Sequence, residues 1–503
     1  MSTVSRCLAV IPLLTLLLTG GASAFEDDLD VAGISGIQEK VSIGGYGFWQ
    51  FGQIMDGYNY QLGQTFSHQW QNNVLIGLSI IAHPSEHFSI LLNPEFFLNY
   101  PFPQLKNFPK SVRPFGIAYI NEARGMYSFG DSEKPFLQLS VGMFTFKYNQ
   151  DVRNLGEYLF RTGTYPTYII NEFDFPAARL LGLHAGIDPL PDLHADILVT
   201  SEAFMFPLYD FSVSGLLSYK LLKAIEIGGG IDFARCFPVD DKRTSPELRS
   251  SESGGFNQYI KESGDTGFYS FKATKVMARA TVDIKALFSS PKIFGPEDLK
   301  LYGEVCWVGV GGYHAKEVYD SSTSILYHPW YNDLNERTPR MFGLNWPTHP
   351  LMSYTVVPGV ASFLIDKNIA PRIIGTGAGL LSGVGLWLLE KKFGVKTGLD
   401  LLSVEVEYFP SVIPNDYRNV IYNQTPVPYL TTTIPDYKES TYNKGFWRWS
   451  VYAKKMISNG FSITAAAAFD HLRTTDMDGF AYDGEYMTKA GNWHWKLKFG
   501  YSF

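Results

Sequence analysis

The last eleven residues, Trp493-His494-Trp495-Lys496-Leu497-Lys498-Phe499-Gly500-Tyr501-Ser502-Phe503, carry an apolar or aromatic residue at every odd position and a polar, charged or glycine residue at every even one. A β-strand sends alternate side chains to opposite faces, so this segment has one greasy and one wet face, over about the length a tilted strand needs to cross a bilayer. Soluble domains rarely end on six outward apolar side chains. The same period recurs upstream: Trp447, Trp449, Val451 and Ala453 alternate with Arg448, Ser450, Tyr452 and Lys454; Phe461, Ile463, Ala465, Ala467 and Phe469 share one phase; Val276 to Ala286 alternate with Lys275, Arg279, Thr281, Asp283 and Lys285. With 15% aromatic, 18% charged and 47 Gly among 503 residues, the composition favours β-structure. Beyond the N-terminus every apolar run breaks within about ten residues, half of what a membrane helix needs, so a membrane would be crossed by strands.

Residues 1–24 read as a secretory signal: Arg6 supplies positive charge, Leu8 to Leu18 is apolar, and Ala22-Ser23-Ala24 is a small-residue exit. Without Arg6 the chain has 41 basic against 49 acidic residues, net −8, which argues against a nucleic-acid partner. Cys7 leaves with the signal, and Cys236 and Cys306 are too few for a disulfide scaffold, whether or not they pair. Residues 25–40 form a short periplasmic segment, too short for a plug, and 41–503 form one barrel domain.

The ending Trp495, Leu497, Phe499, Tyr501 and Phe503 resembles the C-terminal strand of Gram-negative outer-membrane β-barrels, which finish on an aromatic residue, usually Phe. The resemblance implies an all-β, antiparallel transmembrane barrel in the outer membrane, surrounded by its lipid. It also implies that the barrel assembly machinery recognises the strand ending in Phe503. Sixteen strands are expected, at about 41–51, 72–82, 87–99, 113–129, 135–147, 178–188, 193–201, 209–219, 224–235, 268–288, 299–312, 382–391, 396–409, 444–457, 461–470 and 492–503. Short connections, including Lys392 to Val395, then alternate with mostly longer ones, the asymmetry of periplasmic turns and extracellular loops. A further hairpin, Ser353 to Ile365 and Ile369 to Leu381 about Asp366-Lys367-Asn368, gives an eighteen-strand alternative.

The wet phases place charge inside. Basic members are Arg124, Lys147, Lys275, Arg279, Lys285, Lys300, Arg448, Lys454, Lys496 and Lys498; acidic members are Glu122, Asp196, Glu226, Asp232, Asp283, Glu304, Glu405 and Glu407. An unpaired buried ion costs several kcal/mol or more, so these groups either pair in a filled interior or line water. Sixteen strands leave room for an aqueous channel, and the pore-lining candidates are Arg124, Lys275, Arg279, Glu405, Glu407, Arg448, Lys454, Lys496 and Lys498. The third long loop, from Tyr148 to Pro176, is similar in position to the loop that general porins fold into the lumen; its candidate constriction residues are Asp151, Arg153, Arg161, Glu172 and Asp174.

Enzyme and metal signatures are missing. There is no G-x-S-x-G, H-E-x-x-H or G-x-x-x-x-G-K, and Pro84 breaks any helix that would align His83 with His87 on a metal. His184, His194 and Asp196 face inward on neighbouring strands, with no serine that a motif places beside them. No cofactor is implied, and the oligomeric state is open. The expected function is passive diffusion of small hydrophilic solutes through a porin-like channel with weak ion selectivity. The alternatives are a plugged barrel displaying glycan-binding loops, for instance through Trp330, Tyr331 and Trp346, and an outer-membrane hydrolase.

Overall fold

The structure is a computed structural model. It describes the barrel strands, most of their short turns, the loop segment 147–160 and small parts of the other long connections; residues 1–40, 100–114, 161–168, 171–176, 203–210, 238–257, 350–383, 410–428, 431–445 and 475–483, with shorter stretches elsewhere, lie outside the described residues. The signal sequence, the N-terminal segment and the alternative hairpin from Ser353 to Leu381 fall outside them.

Sixteen strands form one closed antiparallel ring. In chain order they are β1 Val41–Asn59, β2 Gln64–Ser85, β3 Phe88–Asn99, β4 Phe115–Gly130, β5 Pro135–Phe146, β6 Ala177–Leu190, β7 Leu193–Glu202 and β8 Phe211–Leu221. Then follow β9 Ile225–Phe237, β10 Ala273–Asp283, β11 Lys300–Gly311, β12 Arg340–Asn345, β13 Leu401–Phe409, β14 Phe446–Ser458, β15 Phe461–Phe469 and β16 Trp493–Ser502. Each strand pairs with its chain neighbours, and β16 pairs with β1. Phe503 and Gly45 exchange backbone hydrogen bonds of 2.9 and 3.0 Å at the seam. Closure removes the exposed edge that an open sheet would carry into lipid.

Register transmits the inward phase around the ring, because directly paired residues share a face. Gln50 faces Lys498, Lys498 faces Thr464, Thr464 faces Lys454, and Lys454 faces Leu401. The opposite phase carries Ile43, Trp49, Leu78, Ile120, Val141, Leu183, Leu217 and Trp447, all exposed on the outside. In lipid an apolar outer face is the favourable one, and Trp49, Phe51, Trp495 and Phe499 stack as an outer aromatic cluster across the β1–β16 seam.

The structure corrects the sequence reading in two regions. The twelfth strand is Arg340–Asn345, and within the expected strand 382–391 the described residues Val384, Leu388 and Lys391 are helical. A short apolar run such as that at 384–389 suits a helix as well as a strand, so periodicity alone does not decide between them. The six-residue β12 has Met341, Gly343 and Asn345 inward, too short and mixed a phase to stand out. The β12–β13 connection is therefore not the short turn Lys392 to Val395 but residues 346–400, at the end of the barrel where short turns otherwise gather. The tenth strand stops at Asp283, and Ile284–Leu287 turn into a helical segment. Cys236 and Cys306 are free thiols.

Candidate functional site: the barrel interior

After Phe146 the chain turns into the barrel. Residues 147–160 lie inside it, with Val152, Leu155, Tyr158 and Leu159 fully buried. They join Phe144, Phe146, Leu180, Leu198, Met277, Tyr302, Cys306 and Met341 in an apolar cluster on the inner wall. Inward Phe144 and Phe146, on a strand whose odd phase is already apolar, are the sequence signal that something packs here.

Wall carboxylates hold the loop by its backbone. Glu405 on β13 accepts from the amides of Arg153 (2.5 Å), Asn154 (2.9 Å) and Leu155 (2.8 Å). Glu304 on β11 accepts from the amides of Glu157 (3.1 Å) and Tyr158 (2.7 Å), from the Tyr148 hydroxyl (2.5 Å) and from Asn149 Nδ2 (3.0 Å). Glu407 accepts from the Tyr158 hydroxyl at 2.7 Å and from Arg448 Nη1 at 3.0 Å. Successive amides aimed at one carboxylate form a concave anion site, and such charge-assisted bonds are about twice as strong as neutral ones. Aiming them takes two left-handed residues, Gly156 at φ +89° and Glu157 at φ +61°. A side chain on residue 156 would stand 3.0 Å from Val152 Cγ1 and 3.4 Å from Glu304 Oε2.

On the loop itself, burial first and the Glu304 charge second push the Glu157 carboxyl well above its ordinary range. Burial pushes Lys147 down to about 8 against the opposing pull of Glu157. The Lys147 ammonium donates to the Val152 carbonyl at 2.8 Å, and Glu157 accepts from the Asn149 amide at 2.5 Å, which closes the loop stem on itself.

Asp151 and Arg153 reach the short-turn rim. Asp151 accepts from Thr281 Oγ1 at 2.8 Å and lies 3.4 Å from Lys300 Nζ. Lys300 lies 3.0 Å from Glu297, which also meets the Arg153 guanidinium at 3.4 Å. Arg153 thus meets Glu405 through its amide and Glu297 through its side chain. Arg161, Glu172 and Asp174 lie outside the described residues.

The remaining candidates face the same interior. Lys275 donates to the Leu159 carbonyl at 3.0 Å and lies 3.6 Å from Asp232; Arg279 donates to Glu226 at 2.7 Å. Glu405, Glu407 and Arg448 are buried by the loop, and Lys496 is buried beside Ala466. Lys454 and Lys498 flank Thr464, and Arg124 lies between Leu91 and Gly142, all three half-buried. Lys285 is the exception, since it sits on the helical segment after β10 and donates to the carbonyls of Pro296 and Asp298. Sequence reasoning placed Thr281 on a wet phase without a role and missed Glu297, Tyr302 and Ser403. Tyr302 lies 2.6 Å from Ser403 Oγ and donates to Glu405 at 3.0 Å, and a hydroxyl on a wet phase gives no warning of such a role.

His194 offers Nδ1 to Asp188 at 2.7 Å and Nε2 to Asp196 at 3.1 Å, and His184 Nε2 lies 2.7 Å from the same Asp196 oxygen. Ser218 faces His194 across the sheet, but both nitrogens of that ring are engaged by carboxylates, which leaves none to accept a serine proton. Among the described residues no group of three or more His, Cys, Asp or Glu is arranged to hold a metal ion.

No protein-family model and no curated protein matches the chain. Among solved structures it is similar to engineered variants of the Rhodopseudomonas blastica porin, at 6% identity and TM-score 0.37, over 92% of this chain and 100% of the other. It is also similar to OprB of Pseudomonas putida, at 9% identity and TM-score 0.43, over 93% and 95%. Values this low say nothing of function, and the porin-like form of the chain rests on its own closed antiparallel ring of sixteen strands.

Proposed function

We propose that the chain is a loop-constricted channel for passive diffusion of small hydrophilic solutes across a bacterial outer membrane. The observation that carries this reading is a charged inner wall with a folded loop pinned across it by Glu304, Glu405 and Glu407. A sixteen-stranded ring is wider than its own side chains fill, and a loop fixed in that space narrows it without closing the wall. The short-turn end faces the periplasm in this reading, and the C-terminal strand ending in Phe503 is the segment through which the assembly machinery inserts the barrel. Basic and acidic groups both face the lumen, so selectivity between ions is weak.

Conductance of the refolded protein in a planar bilayer is the test. Small stepwise currents with a reversal potential near zero in a salt gradient are expected, and the Lys496→Glu, Lys498→Glu double variant is expected to shift that potential toward cations. A soluble monomer in detergent-free buffer would end the membrane reading altogether. A second reading has one observation in its favour: the apolar cluster under the loop, together with buried Lys275, Arg448 and Lys496, fits a filled barrel that displays binding loops. Absence of any current together with retained glycan binding would select it.

A further inference from the structure

A cavity of about 440 Å³ lies between the loop stem Phe146–Gln150 and the inner faces of β6 to β10, near the short-turn end. One wall carries Asp188, His194 and Asp196; the other carries Glu226 and Arg279. The row between them is nearly bare. His194 faces Ser218, Ser218 faces Gly228, and Gly228 faces Arg279. The guanidinium leans over Gly228, where an added Cβ would stand 2.8 Å from Arg279 Nε. Phe146, Leu216 and Met277 supply apolar surface to the same cavity.

The charges facing each other across this row are paired on their own walls: Arg279 with Glu226 at 2.7 Å, His194 with Asp188 at 2.7 Å and with Asp196 at 3.1 Å. Of the other charged lining residues, Lys147 donates to the Val152 carbonyl, and Asp192 and Lys220 add one charge of each sign at the turn end. We infer that this cavity binds a small zwitterion, a molecule carrying an ammonium and a carboxylate a few bonds apart. An anion docking on Arg279 displaces Glu226 and leaves that carboxylate uncompensated. A cation docking on Asp188 and Asp196 does the same to His194. Opening the Arg279–Glu226 pair, or taking His194 away from Asp196, strips a partner from a part-buried group and costs more than the new contact returns, whereas solvent already screens the exposed Asp188. A zwitterion brings both signs, so each opened pair closes again on the guest, while its short carbon stem covers Phe146, Leu216 and Met277. A neutral polyol finds few neutral side-chain partners here, chiefly Gln150 and Ser218. The volume suits an amino-acid-sized guest with some water. The site is built from the wall and the loop stem whether or not the barrel conducts, so it stands apart from the channel reading.

The test is calorimetric titration of the refolded barrel in detergent micelles with 4-aminobutyrate, with butyrate and butylamine as single-charge analogues and glucose as the neutral polyol. Saturable one-to-one binding of 4-aminobutyrate, about tenfold or more tighter than either analogue or glucose, is the expected result. Arg279→Gln and Asp196→Asn are each expected to weaken it about tenfold. Ser218→Phe fills the bare row while leaving every charge pair in place, and it is expected to abolish binding in a barrel that still shows heat-modifiable migration. Equal binding of glucose or butyrate, no saturable heat with 4-aminobutyrate, or full affinity in the folded Ser218→Phe barrel would overturn the inference.

Discussion

The inserted loop is held at two places by the same kinds of charge, yet in different surroundings. At the stem, Glu304, Glu405 and Glu407 are buried and grip backbone amides and tyrosine hydroxyls. At the rim, Asp151, Arg153, Glu297 and Lys300 pair through side chains that remain 14 to 33% exposed. Water screens the second set and not the first, so counting ion pairs would misjudge which end holds the loop. Removing a stem carboxylate leaves several buried donors without an acceptor, whereas removing a rim partner hands its mate back to solvent.

The largest effect is expected from Glu405→Ala, which orphans the amides of Arg153, Asn154 and Leu155 at a local cost of about 3 kcal/mol or more. Amide exchange across residues 152–158 should accelerate, and conductance should rise roughly twofold or more as the loop leaves the wall. Unchanged exchange would show that the apolar cluster, not the carboxylate, keeps the loop in place. Gly156→Ala comes next: φ +89° costs a residue with a side chain about 1–2 kcal/mol, and the new methyl crowds Val152. Its thermal transition should fall while charge selectivity stays as in the wild type. The smallest effect is expected from Lys300→Gln at the rim, below about 1 kcal/mol. The difference from wild type in loop exchange should vanish near 1 M salt, where the Debye length is about 3 Å; a salt-independent loss would place Lys300 with the buried grip.

Much of this architecture was legible in the chain. Period-two alternation, the C-terminal aromatic phase and the strand spacing yield the closed ring, because lipid outside and polar groups inside force opposite chemistry onto successive residues. The inward phase of Lys275, Glu405, Arg448 and Lys498 could be read for the same reason. The twelfth strand could not: six residues with a mixed inner phase carry too little signal, and the apolar run at 382–391 offered a stronger false one.

What the sequence determined by itself is each strand's two faces, since a strand's geometry ties face to parity. What only the tertiary structure decided is which inward charges meet which partner. Glu405 meets Arg153 and Leu155 some 250 positions away, and no local rule links residues at that separation. Their contact exists because β5 and β13 stand on the wall of one closed ring, and the loop after β5 turns inward to fill the space that the ring encloses.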